Sequence, residues 1–229
     1  MIVVFSDIHG CFEQFKRLVN YIERVYSDIK YIFLGDFIDR GNDSKKVVDL
    51  VLEIKNKVVL LGNHEEMMLR YMQGKPSSWL SQNNGGLKTL KSFGKKLNNY
   101  IPFFQELSFI HFEKIKDFNF VFSHANISMS FPLREALSFK GNFWKFLEEY
   151  NVPLKGSNIW YRVPEYIDGY VVVHGHTPVN EPVVLKKDGK IYDINIDTGC
   201  VYGGNLTAMI IEENITFIND DLKYLEGRI

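Results

Sequence analysis

The sequence predicts an α/β (α+β) fold: a two-layer β-sandwich core of mixed sheets flanked by helices. Three observations carry that expectation. Short β-branched apolar runs alternate with helically spaced segments through the amino-terminal part, which implies parallel βαβ units with right-handed crossovers. From Val183 onward short alternating stretches are separated by turns at Asp188-Gly189 and Glu213-Asn214, as in an antiparallel second sheet. Polar clusters follow the strand-type runs directly, at the strand ends where open α/β sheets place their ligands.

Ile2 to Phe5 is apolar and β-branched and reads as a buried strand. It has no basic flank, so it is not expected to be a signal peptide. Phe12, Phe15, Leu18, Val19, Ile22 and Val25 then recur at helical spacing. Tyr31 to Leu34 is a second strand. Asp43 or Ser44 can cap a second helix, with Val47, Val48, Val51, Leu52 and Ile54 on its buried face. Val58 to Leu61 is a third strand, and residues from Glu65 to Met72 read as helical. Residues 74–107 combine a Gly/Asn/Ser-rich loop with short helical pieces around Leu87-Leu90 and Tyr100-Leu107, read as a helical cap on the sheet. Phe109 to Ile115 and Asn119 to Ser123 form a hairpin around Lys116-Asp117-Phe118. Residues 126–165 are irregular, broken by Pro132, Pro153 and Pro164, with one helix over Asn142 to Tyr150. Tyr170 to Val173 is a further buried strand.

At 229 residues the chain is expected to be one domain over 1–229, the cap segment around 74–107 included. Net charge is −1 and no basic run occurs, which argues against a nucleic-acid partner held by phosphate neutralisation. No stretch is long and apolar enough to span a bilayer, so no membrane association is expected. Cys11 and Cys200 are the only cysteines and lack CxxC spacing; a reduced, cytoplasmic chain is the expectation.

The polar clusters are Asp7-Ile8-His9-Gly10, Gly35 to Gly41, Gly62-Asn63-His64-Glu65, Ser123-His124 and His174-Gly175-His176-Thr177. Asp7 and His9 flank Ile8, so a strand end points both side chains the same way. A carboxylate and an imidazole are natural metal ligands, although Asp-x-His alone fits a loop aspartate beside a surface histidine as well. Asp36 can bridge two cations, and Asn63, His124 and His176 can complete a second site. Singly, each also fits a capping or loop residue. Together the clusters suit borderline divalent metals such as manganese, iron or zinc. His64 follows Asn63 and therefore points elsewhere nearby. Held by a carboxylate, of which Asp39 is the obvious one, it can stay protonated and donate to a leaving oxygen. Arg40 can clamp two phosphate oxygens in a fork, its alternative being a surface ion pair. His111 lies in a hairpin strand and reads as structural.

The set D-I-H-G, G-D-F-I-D-R-G, G-N-H-E, S-H and G-H-T resembles the calcineurin-like metallophosphoesterases. The D-R-G and N-H-E blocks resemble their phosphoprotein phosphatase group. Asn84-Gly85-Gly86 with Thr89-Leu90, Trp160-Tyr161-Arg162, His174 to Val179, and Asp197-Thr198-Gly199 with Gly203-Gly204 resemble its bacterial and phage-type members. The resemblance implies that Asp7, His9 and Asp36 hold one metal and Asp36, Asn63, His124 and His176 a second. Two divalent ions are thus expected, manganese first, with iron or zinc as alternatives. It further implies that His64, oriented by Asp39, is the general acid, and that Arg40 and Arg162 grip the phosphate. Pro178 stands where the wider superfamily often has a second histidine, and His174 is not expected to be a ligand. On this resemblance the chain is expected to be a serine/threonine protein phosphatase, hydrolysing phosphoserine and phosphothreonine by direct attack of a metal-bridging hydroxide. The same cluster also serves a symmetrical bis(5'-nucleosyl)-tetraphosphatase or another small-molecule phosphoesterase. An inactive binding scaffold is disfavoured because the whole ligand set is present. The expected partner is therefore a phosphorylated protein or a small phosphoester.

Overall fold

The structure, a computed structural model, describes residues 1–225. Its first part runs β1 (Ile2–Phe5), α1 (Phe12–Val25), β2 (Lys30–Phe33), α2 (Ser44–Glu53), β3 (Lys57–Val59) and α3 (Asn63–Met72). β1 pairs parallel with β2, and β2 parallel with β3, as the alternation of elements requires. There follow α4 (Gly86–Phe93), α5 (Ile101–Gln105), the hairpin β4 (Ile110–Ile115) and β5 (Phe118–Ser123), α6 (Leu133–Ser138) and α7 (Phe143–Glu149). The last part holds β6 (Val171–His174), β7 (Val183–Lys187), β8 (Lys190–Asn195), β9 (Thr207–Ile211), β10 (Ile215–Asn219) and β11 (Tyr224–Leu225).

These strands make a 6-stranded sheet, β11-β10-β9-β1-β2-β3, and a 5-stranded sheet, β4-β5-β6-β8-β7, both of mixed direction. Alternation along each strand builds two cores. Val4, Ile32 and Leu34 pack with Phe120, Phe122, Val171 and Val173 between the sheets. Val3, Phe5, Tyr31 and Phe33 turn the other way, into a core shared with α1 and α2. There Phe15 meets Phe5 and Phe33 edge-on, with centroids 5.3 and 5.9 Å apart. Because β1, β2 and β3 run parallel, as do β5 and β6, the polar clusters leave their strands on one edge of the sandwich. Gly35 (φ +101°) lets two of these exits touch, since a Cβ there would fall on the backbone of Gly62.

Several expectations need correction. Val25 and Leu52, in the last turns of α1 and α2, are 49% and 41% exposed instead of buried. Ile54 is buried but follows α2 as its C-cap residue, and Asp43 occupies the N-cap position without a side-chain cap bond. Within 74–107, α4 packs on α2 and α5 on α3. A helix not foreseen, α6, starts directly after Pro132. The strands beyond Val183 do not form a sheet of their own. β7 and β8 extend the sheet of β6, with β8 parallel to it, whereas β9, β10 and β11 extend the first sheet beyond β1.

The two ends of α1 give a stability test. Phe15→Ala should cost about 3–5 kcal/mol in denaturant unfolding, and Val25→Ala should stay within about 0.5 kcal/mol.

Candidate metal centre

Asp36, only 1% exposed, is the common member of two groups whose ligand atoms lie within 4.8 Å of one another. One group is His9, Asp36 and His64; the other is Asp36, His124 and His176. Asp36 Oδ2 lies 3.4 Å from His9 Nε2 and 3.5 Å from His124 Nε2. Asn63 Oδ1 is 2.9 Å and His176 Nδ1 3.2 Å from His124 Nε2. Asp7 Oδ1 is 4.0 Å from His9 Nε2, while its Oδ2 accepts the His176 N–H and the Ser6 hydroxyl. All the residues expected to bind metal are therefore gathered. His64 enters the first geometric group where the sequence reading had Asp7.

Hydrogen bonds fix the chemistry of this gathering. His9 Nδ1 donates to the Ile38 carbonyl (2.8 Å) and His124 Nδ1 to that of Leu34 (3.0 Å), so the proton of each neutral ring sits on Nδ1. Their Nε2 lone pairs then face carboxylate and amide oxygens, acceptor against acceptor. Burial supports the neutral form by holding His9, His124 and His176 below the ordinary imidazole range. Burial, with Asp7 close by, pushes Asp36 the other way. A cluster of carboxylate and amide oxygens and neutral imidazoles fits divalent cations, once Arg40, which donates to His9 Nε2, gives up that lone pair.

The loops hold this geometry against backbone preference. Asp7 (φ 49°), His9 (φ 46°), Asp36 (φ 56°), Asp39 (φ 74°), Arg40 (φ 61°) and His176 (φ 66°) all adopt left-handed conformations that non-glycine residues avoid. Glu65 fastens two of these loops, a role the sequence reading did not assign. Fully buried, it accepts the N–H groups of Asp36 (2.8 Å), Phe37 (2.9 Å) and Gly62 (3.1 Å). Burial and the neighbouring Asp36 push its carboxyl up to about 8, yet every short contact on it is a donor, as an ionised carboxylate requires. Its position at N3 after Gly62 makes the returning half of a capping box on α3, the carboxylate taking the N-cap N–H, while the glycine has no side chain to supply the other half.

The other expected groups surround the cluster. His64 Nδ1 lies 2.6 Å from Asp39 Oδ2, and its buried Nε2 has no partner. Asp39 is further held by the Trp79 indole N–H (2.9 Å) and the Thr89 hydroxyl (2.6 Å). Burial pushes Asp39 up to about 7 and His64 well down, so in the protein alone the pair favours its neutral form over an imidazolium–carboxylate. Arg40 donates to His9 Nε2 and lies over the Tyr202 ring, 5.5 Å from its centroid. Arg162 donates to the His176 carbonyl (3.0 Å) and the Thr177 hydroxyl (3.1 Å) on the opposite side. His174 instead meets Asp193 (3.2 Å), and His111 meets Glu113 (2.8 Å). Asp197, buried and raised by burial and by Asp7, adds an acidic group that the sequence reading left unassigned. Cys11 and Cys200 are both free, Cys11 half-buried with its Sγ 3.9 Å from the His9 carbonyl and Cys200 buried.

Comparison with known proteins adds to this geometry. The family model described as calcineurin-like phosphoesterase matches residues 1–220. A relative from Oceanobacillus iheyensis, named bis(5'-nucleosyl)-tetraphosphatase PrpE (asymmetrical), is 30% identical over 231 residues, covering 90% of this chain and 86% of its own. One from Anoxybacillus flavithermus with the same name is 28% identical over 233 residues, covering 90% and 88%. Among solved structures, a cold-active protein-tyrosine phosphatase of a psychrophilic Shewanella superposes with a TM-score of 0.64 at 17% identity, covering 98% of this chain and 79% of that one. At that identity the likeness shows the fold alone. The expectation of a serine/threonine protein phosphatase is overturned by the relatives, whose name places them with the nucleotide-cleaving alternative. Of the blocks that suggested a protein phosphatase, Trp160-Tyr161-Arg162 lies against His176 and Thr177 beside the metal-binding residues. No helix among the described residues is long and apolar enough to cross a membrane.

If Asp36 is shared between two ions, Asp36→Asn should lower manganese affinity by at least about 100-fold. His174→Gln should leave it unchanged. Elemental analysis after equilibrium dialysis reads both.

Proposed function

The chain belongs to the calcineurin-like phosphoesterase family, and on that premise we propose that it hydrolyses bis(5'-nucleosyl) tetraphosphates asymmetrically, releasing a nucleoside triphosphate and a nucleoside monophosphate. The observation that carries this reading is the name shared by relatives that align with 90% of the chain. The site geometry is compatible with it: an acceptor cluster for metal with an arginine on either side.

In this reading Asp7, His9 and Asp36 hold one ion, and Asp36, Asn63, His124 and His176 hold the other, manganese being the preferred metal. When bound, the ions supply Lewis acidity toward phosphoryl oxygens and an activated water. The chain's own groups do the rest. Arg40 and Arg162, on opposite sides of the cluster, bind non-bridging phosphate oxygens and offset charge that grows in the transition state. Arg40 would leave His9 to do so, freeing the Nε2 lone pair. To act as the acid His64 would have to be an imidazolium in the substrate complex, its Nδ1–H held by Asp39 and the proton on its otherwise unpartnered Nε2 passing to the leaving oxygen. Trp79 and Thr89 fix the Asp39 carboxylate, and so the tilt of the imidazole.

Two measurements test the proposal. Manganese-loaded protein given diadenosine tetraphosphate should release ATP and AMP in equal amounts. Two molecules of ADP would instead favour symmetrical cleavage, and an intact dinucleotide would refute the reading. His64→Asn should slow hydrolysis of phenyl phosphate, a poor leaving group, by about 10²–10⁴-fold, and p-nitrophenyl phosphate less, with metal content unchanged. Loss of metal in this variant would make His64 a ligand rather than the acid.

A further inference from the structure

A phosphate-binding arginine has to be aimed without its N–H groups being taken by other partners. The structure does this for Arg40 from the backbone outward. Arg40 is left-handed (φ 61°), and Gly85 is pressed so closely against it that a Cβ there would fall on the Arg40 backbone. The Lys88 ammonium donates to the Arg40 carbonyl at 2.6 Å. The backbone is thus held, but the guanidinium ends a long side chain, and its direction depends on what it meets. It makes no ion pair with a carboxylate among the described residues. It meets His9 Nε2 and the ring of Tyr202, with Cζ 5.5 Å from the ring centroid.

Only one of these two contacts is compatible with a metal on His9. A cation there takes the Nε2 lone pair that Arg40 now meets, and one lone pair serves one partner. The Tyr202 ring has no such competitor. Tyr202 ends the short helical turn Cys200–Tyr202, and its N–H bonds the Gly199 carbonyl (2.9 Å), as does that of Gly204 (3.1 Å). The backbone under the ring is therefore fixed, while the side chain is 63% exposed and adds little to the fold. An aromatic face attracts a guanidinium through its quadrupole, and the N–H donors, which lie in the guanidinium plane, stay free. A carboxylate in the same place would take those donors and repel the phosphate.

We propose that Tyr202 is a positioning residue, whose ring aims the Arg40 guanidinium at the phosphate and leaves its donors available. The inference rests on the reading of Arg40 as a phosphate clamp. It holds for any phosphoester the site takes, whichever bond of a dinucleotide is cut. Because Tyr202 acts through Arg40, its effect falls on the phosphate and is equal for large and small substrates.

Tyr202→Leu, Tyr202→Phe, Arg40→Met and the Arg40→Met, Tyr202→Leu double variant test it in manganese-loaded protein. Tyr202→Leu should lower kcat/KM for p-nitrophenyl phosphate, and raise the inhibition constant of inorganic phosphate, by about 3–30-fold, the range of a cation–π contact. Tyr202→Phe, which keeps the ring and drops the hydroxyl, should restore both. In the Arg40→Met background, Tyr202→Leu should change neither constant further. The full Tyr202→Leu loss on top of Arg40→Met overturns the proposal, as does an equal loss in Tyr202→Phe or no loss in Tyr202→Leu. If Arg40→Met does not fold, the comparison of Tyr202→Leu with Tyr202→Phe decides alone. Wild-type phosphate inhibition in Arg40→Met removes the clamp reading and the proposal together. None of these measurements uses a dinucleotide, so failure to cleave diadenosine tetraphosphate removes the substrate reading and leaves this one standing.

Discussion

The rest of the site depends on the Glu65 carboxylate, which ties the loop after β2 to the start of α3. Three short hydrogen bonds from Asp36, Phe37 and Gly62 converge on it in a fully buried position. Each of those N–H groups would otherwise be orphaned, at about 1–3 kcal/mol apiece. The link has a direct chemical result. It sets the backbone of Asp36 against that of His64, whose N–H donates to Asp36 Oδ1 at 3.0 Å, and leaves Oδ2 for the imidazoles.

This anchoring explains how the backbone sustains so many left-handed residues in one place. Asp7, His9, Asp36, Asp39, Arg40 and His176 each occupy a conformation with an intrinsic cost. Cross-loop bonds hold them there: His9 N to the Asp36 carbonyl (2.8 Å), Gly10 N to that of Phe37 (2.9 Å), and Gly41 N to that of His9 (3.0 Å). The α/β scaffold supplies rigid strand ends, the loops supply unusual side-chain directions, and the helix cap locks them together. A cluster of imidazoles and carboxyl and amide oxygens gathered around Asp36 is the outcome.

Much of this was legible in the sequence, for identifiable reasons. The strands β1 and β2 and the helix α1 announced themselves by period, and Asp36, Asn63 and His124 by their places directly after strand residues. Other features depended on tertiary context. Whether Ala208 and Met209 join the first or the second sheet is set by partner strands, and nothing local in Thr207–Ile211 says which. Val25 and Leu52 kept helical spacing but stand exposed in the last turns of their helices. Trp79 and Thr89 reach Asp39 from a segment whose composition said only loop and cap. The identity of the substrate was the least legible part, because the motifs point to a phosphoesterase site and carry no signal for the group attached to the phosphate.

The central claim is that Asp36 is shared by two neighbouring cations. Electron paramagnetic resonance of the wild-type protein titrated with manganese tests it most directly. Ions sharing one carboxylate, about 3.5–4 Å apart as in known two-metal sites, should give the broad signal of an exchange-coupled pair at two equivalents per chain. A spectrum of isolated ions only, saturating at one equivalent, would contradict it.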